Sequence, residues 1–93
     1  MLSLMRRCGE SVILKSGRQE FSIEVIDINR DKGRVKLHLK GRNQWIDKHD
    51  ILAERIDGRT VTVKLKSIAG VQVNLSVQAP RSVRILREEL CQK

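Results

Sequence analysis

Two pairs of residues near the ends of the chain have types and a spacing that suit contact with a nucleic acid. Leu4 and Arg6 stand two positions apart, and Ile85 and Arg87 repeat the arrangement. If both segments are strands, each pair lies on one face. Arginine binds phosphate or a guanine edge through two hydrogen bonds, and an aliphatic neighbour offers a base an apolar surface. The same pattern is also typical of half-exposed strands whose charged ends face solvent.

The charge of the chain favours a polyanionic partner. Its 93 residues include 19 basic and 11 acidic ones, a formal net charge of +8. Nucleic acid is the first expectation, an anionic membrane surface the second, and a basic surface without a specific partner the third. The chain has no Tyr, one Phe and one Trp, so it lacks the aromatic platform on which RRM and OB domains stack bases. Arginine, polar groups and backbone must then read any base.

No pattern in the sequence indicates catalysis, a metal or a cofactor. Cys8 and Cys91 lack the spacing of a zinc site, and His38 and His49 are not placed to complete one. A nucleophile with a histidine and an acid is not found either. We therefore expect no enzyme, no cofactor and no small-molecule substrate, and both cysteines are expected to be small packing residues.

The length predicts one small domain over residues 1–93, a size at which oligomerisation often adds stability. No apolar run approaches the roughly 20 residues of a membrane span. The opening residues MLSLMRRCGES do not have the order of charge and apolar residues that marks a secretion signal. We expect a cytoplasmic protein without membrane contact.

The elements that would position these residues are mostly strands, because apolar and polar residues alternate. One predicted hairpin has its apolar positions at Val61–Val77, and an earlier one at Phe21–Leu39. They align at a constant offset of 38 residues, for example Ile23 with Val61 and Leu37 with Leu75. The offset indicates either a duplicated hairpin or two unrelated hairpins with turns of equal length.

One segment departs from this alternation. Its apolar residues, at positions 45, 51, 52 and 56, suit a short amphipathic helix over about residues 46–57. Asp47 would cap the N-terminus of this helix, and Gly58 would follow its last turn. Pro80, which cannot donate a hydrogen bond, marks the break before the last strand.

Two separate pieces of the chain resemble the CsrA/RsmA (carbon storage regulator) family of RNA-binding translational regulators. MLSLMRRCGES resembles the family's opening, with an aliphatic residue, two arginines and a Gly-Glu pair. TVTVKLKSIAGVQVNLSVQAPRSVRILREEL resembles the rest: two strands, Ala-Pro, a strand and Arg-Glu-Glu. The matching pieces, residues 1–14 and about 59–92, leave residues 15–58 as a large insertion that would hold the extra hairpin and the helix.

The resemblance implies a small, mainly β, antiparallel and barrel-like domain whose strands interleave in a homodimer. It implies a post-transcriptional regulator, often a repressor, that binds GGA motifs in loops or single strands of mRNA 5′ leaders. Such a protein controls translation initiation and mRNA stability, and small regulatory RNAs titrate it. The alternative is a protein-interaction module that has lost RNA binding, since Ser3 and Met5 replace the usual aliphatic residue and threonine.

The resemblance also assigns RNA contacts to particular residues. They lie on the first strand, in the Ala-Pro loop and on the last strand: Leu4, Met5, Arg6, Arg7, Ala79, Pro80, Arg81, Ile85 and Arg87. The earlier hairpin ends in Lys40-Gly41-Arg42 without Ala-Pro, so we expect it not to form a second RNA site. The insertion is likewise expected to supply no RNA contact, although Arg30, Lys32 and Arg34 suggest a competing auxiliary phosphate clamp.

Overall fold

The structure is a computed structural model that describes residues 2–87, the last of them for its backbone only. Glu88, Glu89 and Cys91 lie outside the described residues. Within the described range there is no helix, and so none that could cross a membrane. The nine strands are β1 (Leu2–Arg7), β2 (Ser11–Ser16), β3 (Gln19–Asn29), β4 (Arg34–Leu39), β5 (Arg42–Asp47), β6 (Leu52–Ile56), β7 (Arg59–Ala69), β8 (Gln72–Gln78) and β9 (Arg84–Arg87).

These strands form two antiparallel sheets around one core. The order is β1-β8-β7-β6 in the four-stranded sheet and β5-β4-β3-β2-β9 in the five-stranded sheet. The sheets touch where β5 meets β7 and where β3 meets β6. Alternate residues of each strand point into one shared cluster of buried aliphatic side chains, among them Leu14, Val25, Leu37, Leu65 and Leu75. The predicted mainly β, antiparallel fold is confirmed.

The first and last strands each pair with the other half of the chain. β1 lies beside β8 at the edge of the four-stranded sheet, with Leu4 opposite Leu75. β9 lies beside β2 at the edge of the five-stranded sheet, with Ile85 opposite Leu14. The first and last strands therefore pair with strands from the opposite ends of the chain, β8 and β2. The homodimer that the resemblance implied stays a prediction.

The helix predicted over about residues 46–57 is wrong. The segment contains the end of β5, a turn and the whole of β6. Ile46, Leu52 and Ile56 are buried, whereas Trp45 is 37% and Ile51 59% exposed. The apolar residues that suggested a helical face thus divide between two strands and the outer surface.

Both residues taken as helix caps form turns instead. The Asp47 carboxylate accepts a hydrogen bond from the amide of His49 at 2.8 Å, and the Asp47 carbonyl accepts one from the amide of Asp50 at 3.2 Å. Asp57 and Gly58 both have positive φ, 52° and 75°, as the two-residue hairpin turn between β6 and β7 requires. Asp and Gly favour such turns for the same local reasons that make them helix caps.

The β3–β4 and β7–β8 hairpins correspond to each other, but their alignment differs from the predicted constant offset of 38 residues. Val25 pairs with Leu37 in one and Leu65 with Leu75 in the other, so Val25 corresponds to Leu65 and not to Val63. The offset is 40 residues on the first strand and 38 on the second. Each hairpin has a register shift directly after this pair. The β3–β4 connection is two residues longer than the β7–β8 turn, which explains the change of offset.

The residues predicted as an insertion, 15–58, contribute strands to both sheets. The range begins inside β2 and ends in the turn after β6. β2 lies between β3 and β9, and β3, β4 and β5 complete the same sheet. These residues therefore form most of one of the two sheets, and they contribute eight of the 18 buried aliphatic residues in the described core.

Candidate nucleic-acid interface

A short connection carries the chain from β1 in one sheet to β2 in the other. Gly9, with φ of 90°, makes the sharp bend that an L side chain rarely allows. Its amide donates to the Val25 carbonyl at 2.7 Å, and the Val25 amide donates to the Glu10 carbonyl at 3.0 Å. The Glu10 carboxylate accepts from the Arg7 amide at 2.8 Å. The Gly-Glu pair thus fixes the end of β1 against β3.

Arg6 links the end of β1 to the beginning of β2. Its side chain is only 6% exposed. The Nε atom donates to the Met5 carbonyl at 2.7 Å, and the guanidinium also reaches the Ser11 carbonyl at 3.4 Å. Ser11 precedes Val12, which is the residue that pairs with Arg87. The predicted arginine positions of the first and last strands therefore meet at the start of β2.

Among the described residues, one edge of β1 has no neighbouring strand, and this edge is polar and exposed. Backbone groups of alternate residues point away from β8 in an antiparallel pair. Met5 and Arg7 belong to this outward set, because their backbone groups bond to the Arg6 side chain and to Glu10. By alternation Ser3 belongs to it as well. The Ser3 backbone and the Met5 amide thus face a ligand approaching the edge.

The side chains of β1 divide between core and surface. Leu4 is only 2% exposed and packs in the core, so it can meet a ligand mainly through its backbone. Met5 and Arg7 are exposed on the outer side of the sheet. Of the four positions predicted on this strand, these two offer their side chains directly.

The second predicted pair, Ile85 and Arg87, lies on β9. Ile85 is half-buried and packs against the core opposite Leu14. Arg87 pairs with Val12, one residue from the carbonyl that Arg6 reaches. Both β1 and β9 are edge strands of their sheets, so each has one side without a neighbouring strand among the described residues.

The Ala-Pro loop lies at the other end of β1. β8 ends at Gln78, next to the first described residues of β1, since Leu2 pairs with Val77. Ala79 packs partly on the core, whereas Pro80 and Arg81 are exposed. The predicted contact residues therefore do not form one cluster. They form a strip that begins at Pro80, beside the first residues of β1, and follows β1 to Arg7.

A comparison with protein families gives this geometry a context. Residues 53–93 match the family model of CsrA, described as the global regulator protein family. The matched range is 41 of the chain's 93 residues, less than half of it. It includes Ala79–Arg81, Ile85 and Arg87, whereas the β1 positions lie outside the matched range. No curated protein and no solved structure matches the chain.

The CsrA match leaves a cleft beside Arg7 unexplained. It has a volume of about 700 Å³ and lies between the β3–β4 connection and the β7–β8 turn. Arg7 and Arg30 both line it, together with Asp27, Asp31 and Val71. The Arg30 guanidinium reaches the Gly70 carbonyl at 3.4 Å. This turn, for which we expect no RNA contact, thus lies beside Arg7, one of the predicted RNA contacts.

Two further polar groups belong to the outer side of this sheet, and neither was predicted. Lys66 Nζ lies 3.4 Å from Ser3 Oγ. Asn74, which pairs with Met5, has a buried Oδ1 atom without a hydrogen-bond partner among the described residues. Strand alternation could have placed Lys66 on the outer face, but its partner on β1 depends on the order of strands. The described residues hold no cluster of His, Cys, Asp or Glu that could bind a metal.

Proposed function

We propose that this protein is a post-transcriptional regulator of the CsrA type that binds GGA motifs in loops or single-stranded segments of mRNA leaders. By covering such a site it controls translation initiation and mRNA stability, and small regulatory RNAs with several GGA motifs compete for it. It acts in the cytoplasm and performs no catalysis. The family match and the excess of basic residues support this proposal.

The single observation that carries the proposal is the meeting of β1 and β9 at the start of β2. The guanidinium of Arg6 bonds to the carbonyl of Ser11, and the next residue pairs with Arg87. Arg6 of β1 and position 87 of β9, which are far apart in sequence, thereby adjoin neighbouring residues of β2. The backbone of β1 beside them can donate to and accept from the edges of unpaired bases.

Different parts of this strip suit different parts of an RNA. We assign base reading to Arg87 and to the β1 backbone, because a guanine presents two acceptors to an arginine fork. Arg7 and Arg81 are exposed and suit phosphates, which position an RNA without reading its sequence. Specificity for GGA is therefore expected to depend on few residues, whereas the affinity for any RNA depends on many.

A gel shift with two matched hairpins tests the proposal. One hairpin carries ANGGAN in its loop, and the control carries CCA in place of GGA. Binding through charge alone weakens steeply with salt, with a slope of about −0.7 per phosphate contact on single strands. We expect the GGA hairpin to bind more tightly at both low and physiological salt. Equal affinities at physiological salt contradict the proposal and favour the alternative, an interaction module without specific RNA binding.

Arg30 provides a further prediction, because it shares a cleft with Arg7. Arg30→Ala is expected to weaken RNA binding several-fold and to reduce the salt slope by about 0.7, the loss of one phosphate contact. The matched control is Arg18→Ala, an equally exposed arginine at the opposite end of β3. Filter binding over a salt series measures both variants. If the two variants have equal affinities and equal salt slopes, Arg30 contributes only to the general positive charge of the protein, and the prediction is wrong.

A further inference from the structure

The two halves of the chain can be compared residue by residue at the place where RNA is proposed to bind. β4 corresponds to β8, since Leu37 and Leu75 occupy the same position in their hairpins. The strand on the outer side of β8 is β1, and the strand on the outer side of β4 is β5. Both run antiparallel to their neighbour. β5 therefore takes the position in its half that β1 takes in the other.

The arginines of β1 have no counterpart on β5. Arg6 lies opposite Val73 and Arg7 opposite Gln72. The equivalent positions, opposite Val35 and Arg34, are held by Ile46 and Asp47. One arginine is thus replaced by a buried aliphatic residue, and the other by a carboxylate, which repels phosphate. At these two positions β5 lacks the positive charge that the proposed site requires.

Local chain geometry explains why β5 lies here. After β4, Lys40 and Gly41 both have positive φ, 48° and 75°, and make the two-residue turn that folds β5 back onto β4. The corresponding stretch after β8 contains Ala79 and Pro80. Proline restricts the preceding residue to extended conformations, so this turn cannot form there. The chain after β8 instead crosses to the other sheet and becomes β9.

The half of the chain that contains β6 also has no described strand at the position equivalent to that of β9. β9 lies beside β2, and β2 corresponds to β6 as the first strand of its hairpin. In the part of the chain that is described, no strand lies on the outer side of β6. Lys40 donates to the Arg55 carbonyl at 2.6 Å, and Arg42 and Lys40 form ion pairs with Glu54. Charged side chains at an edge hinder the addition of another strand.

From this comparison we infer that the chain is a self-contained two-half module with one RNA site, so that a single chain binds a single GGA element. The inference rests on the proposed function for the identity of the ligand. The interleaved pairs, β1 with β8 and β9 with β2, are complete without a second copy. Such a protein covers one element and cannot bridge two elements of the same RNA.

Chain closure can be tested without RNA by cysteine crosslinking. Ile13 and Leu86 are directly opposed on β2 and β9, and opposed strand positions lie within the Cα separation that a disulfide spans. Ile13→Cys and Leu86→Cys are introduced into a chain carrying Cys8→Ser and Cys91→Ser. Oxidation is expected to consume both thiols and leave a single-chain band on a non-reducing gel. Covalent dimers would overturn closure within one chain.

A second cysteine pair keeps the crosslinking test decisive if the first variant does not fold. Ser3→Cys and Ser76→Cys join β1 to β8 at another opposed pair and are tested in the same way. Circular dichroism confirms that each variant is folded before oxidation. Failure of both folded pairs to crosslink would contradict the strand order itself.

Stoichiometry tests the single site. At chain concentrations far above the dissociation constant, titration with the GGA hairpin is expected to saturate at one RNA per chain, and light scattering should give the mass of one chain plus one RNA. Two RNAs per chain, or complexes with two chains, would overturn the inference. Absence of RNA binding would overturn the proposed function and the single site together, while crosslinking would still decide whether the chain closes on itself.

Discussion

Replacing Arg87 with alanine is expected to lower the affinity for a GGA hairpin by roughly 5- to 150-fold, about 1–3 kcal/mol. Position 87 is the last described residue of β9 and pairs with Val12, beside the carbonyl that Arg6 reaches. Loss of a guanidinium that binds two acceptors removes specificity as well as charge, so binding of the CCA hairpin should change much less. The comparison of both hairpins separates the two contributions.

Arg84→Ala is the matched control for this experiment. Arg84 lies on the same strand, has the same charge and pairs with Lys15 on the outer face of the sheet. Its loss should reduce affinity for both hairpins slightly and equally. Thermal melting followed by circular dichroism confirms that both variants are folded. If a folded Arg87→Ala variant binds the hairpins with the affinity of the Arg84→Ala variant, β9 does not belong to the RNA site.

Leu14→Ala is expected to lower the free energy of unfolding by about 2–5 kcal/mol. Leu14 is fully buried on β2, between Phe21 of β3 and Ile85 of β9. Truncation leaves a cavity at the place where the last strand docks on the first half of the chain. For a domain of this size, the loss is a large part of the total stability. Urea denaturation followed by circular dichroism measures it.

The neighbouring residue provides the comparison for Leu14. Ile13 has the same number of carbon atoms but is only half-buried and points to the opposite face of β2. Ile13→Ala should cost clearly less, on the order of 1 kcal/mol. Similar costs for the two variants would mean that β2 does not face the core through Leu14, and the packing of β9 on it would be wrong.

The strands could be predicted from the sequence because alternation reports directly which residues face a core. Val61, Val63 and Leu65 are buried as the period of two requires. The predicted helix failed because three of its four apolar positions belong to two strands and Ile51 lies between them. Asp47 and Gly58 favour turns as well as helix ends. In a short segment with few apolar residues, their spacing alone does not distinguish a helix from two strands joined by a turn.

Strand order could not be predicted in the same way. The sequence shows that β1 and β9 are strands, but which strands they adjoin depends on packing between distant parts of the chain. The offset of 38 residues indicated a repeat, yet the longer connection around Arg30–Gly33 hid the correct alignment of β3 with β7. A correctly aligned repeat would have suggested from the sequence the closure within one chain that we infer.

The candidate site was partly predictable for a related reason. Arginine at a strand end is a recognisable signal, and Arg6 and Arg87 do lie at adjoining positions. The burial of Leu4 and Arg6, the cleft shared by Arg7 and Arg30 and the approach of Lys66 to Ser3 all depend on which strands are neighbours. No pattern within a single segment contains that information.

Mixing two defective variants tests most directly whether one chain holds the whole site. Arg7→Ala damages the contribution of β1, and Arg87→Ala damages that of β9, so each variant alone should bind the GGA hairpin weakly. Equal amounts are unfolded together in urea, refolded by dilution and titrated with the hairpin. A site made within one chain predicts that the mixture binds no better than the average of the two variants. Interleaved homodimers would instead restore wild-type affinity at about a quarter of the sites, because each mixed dimer would hold one intact site. Such recovery would contradict a single-chain site.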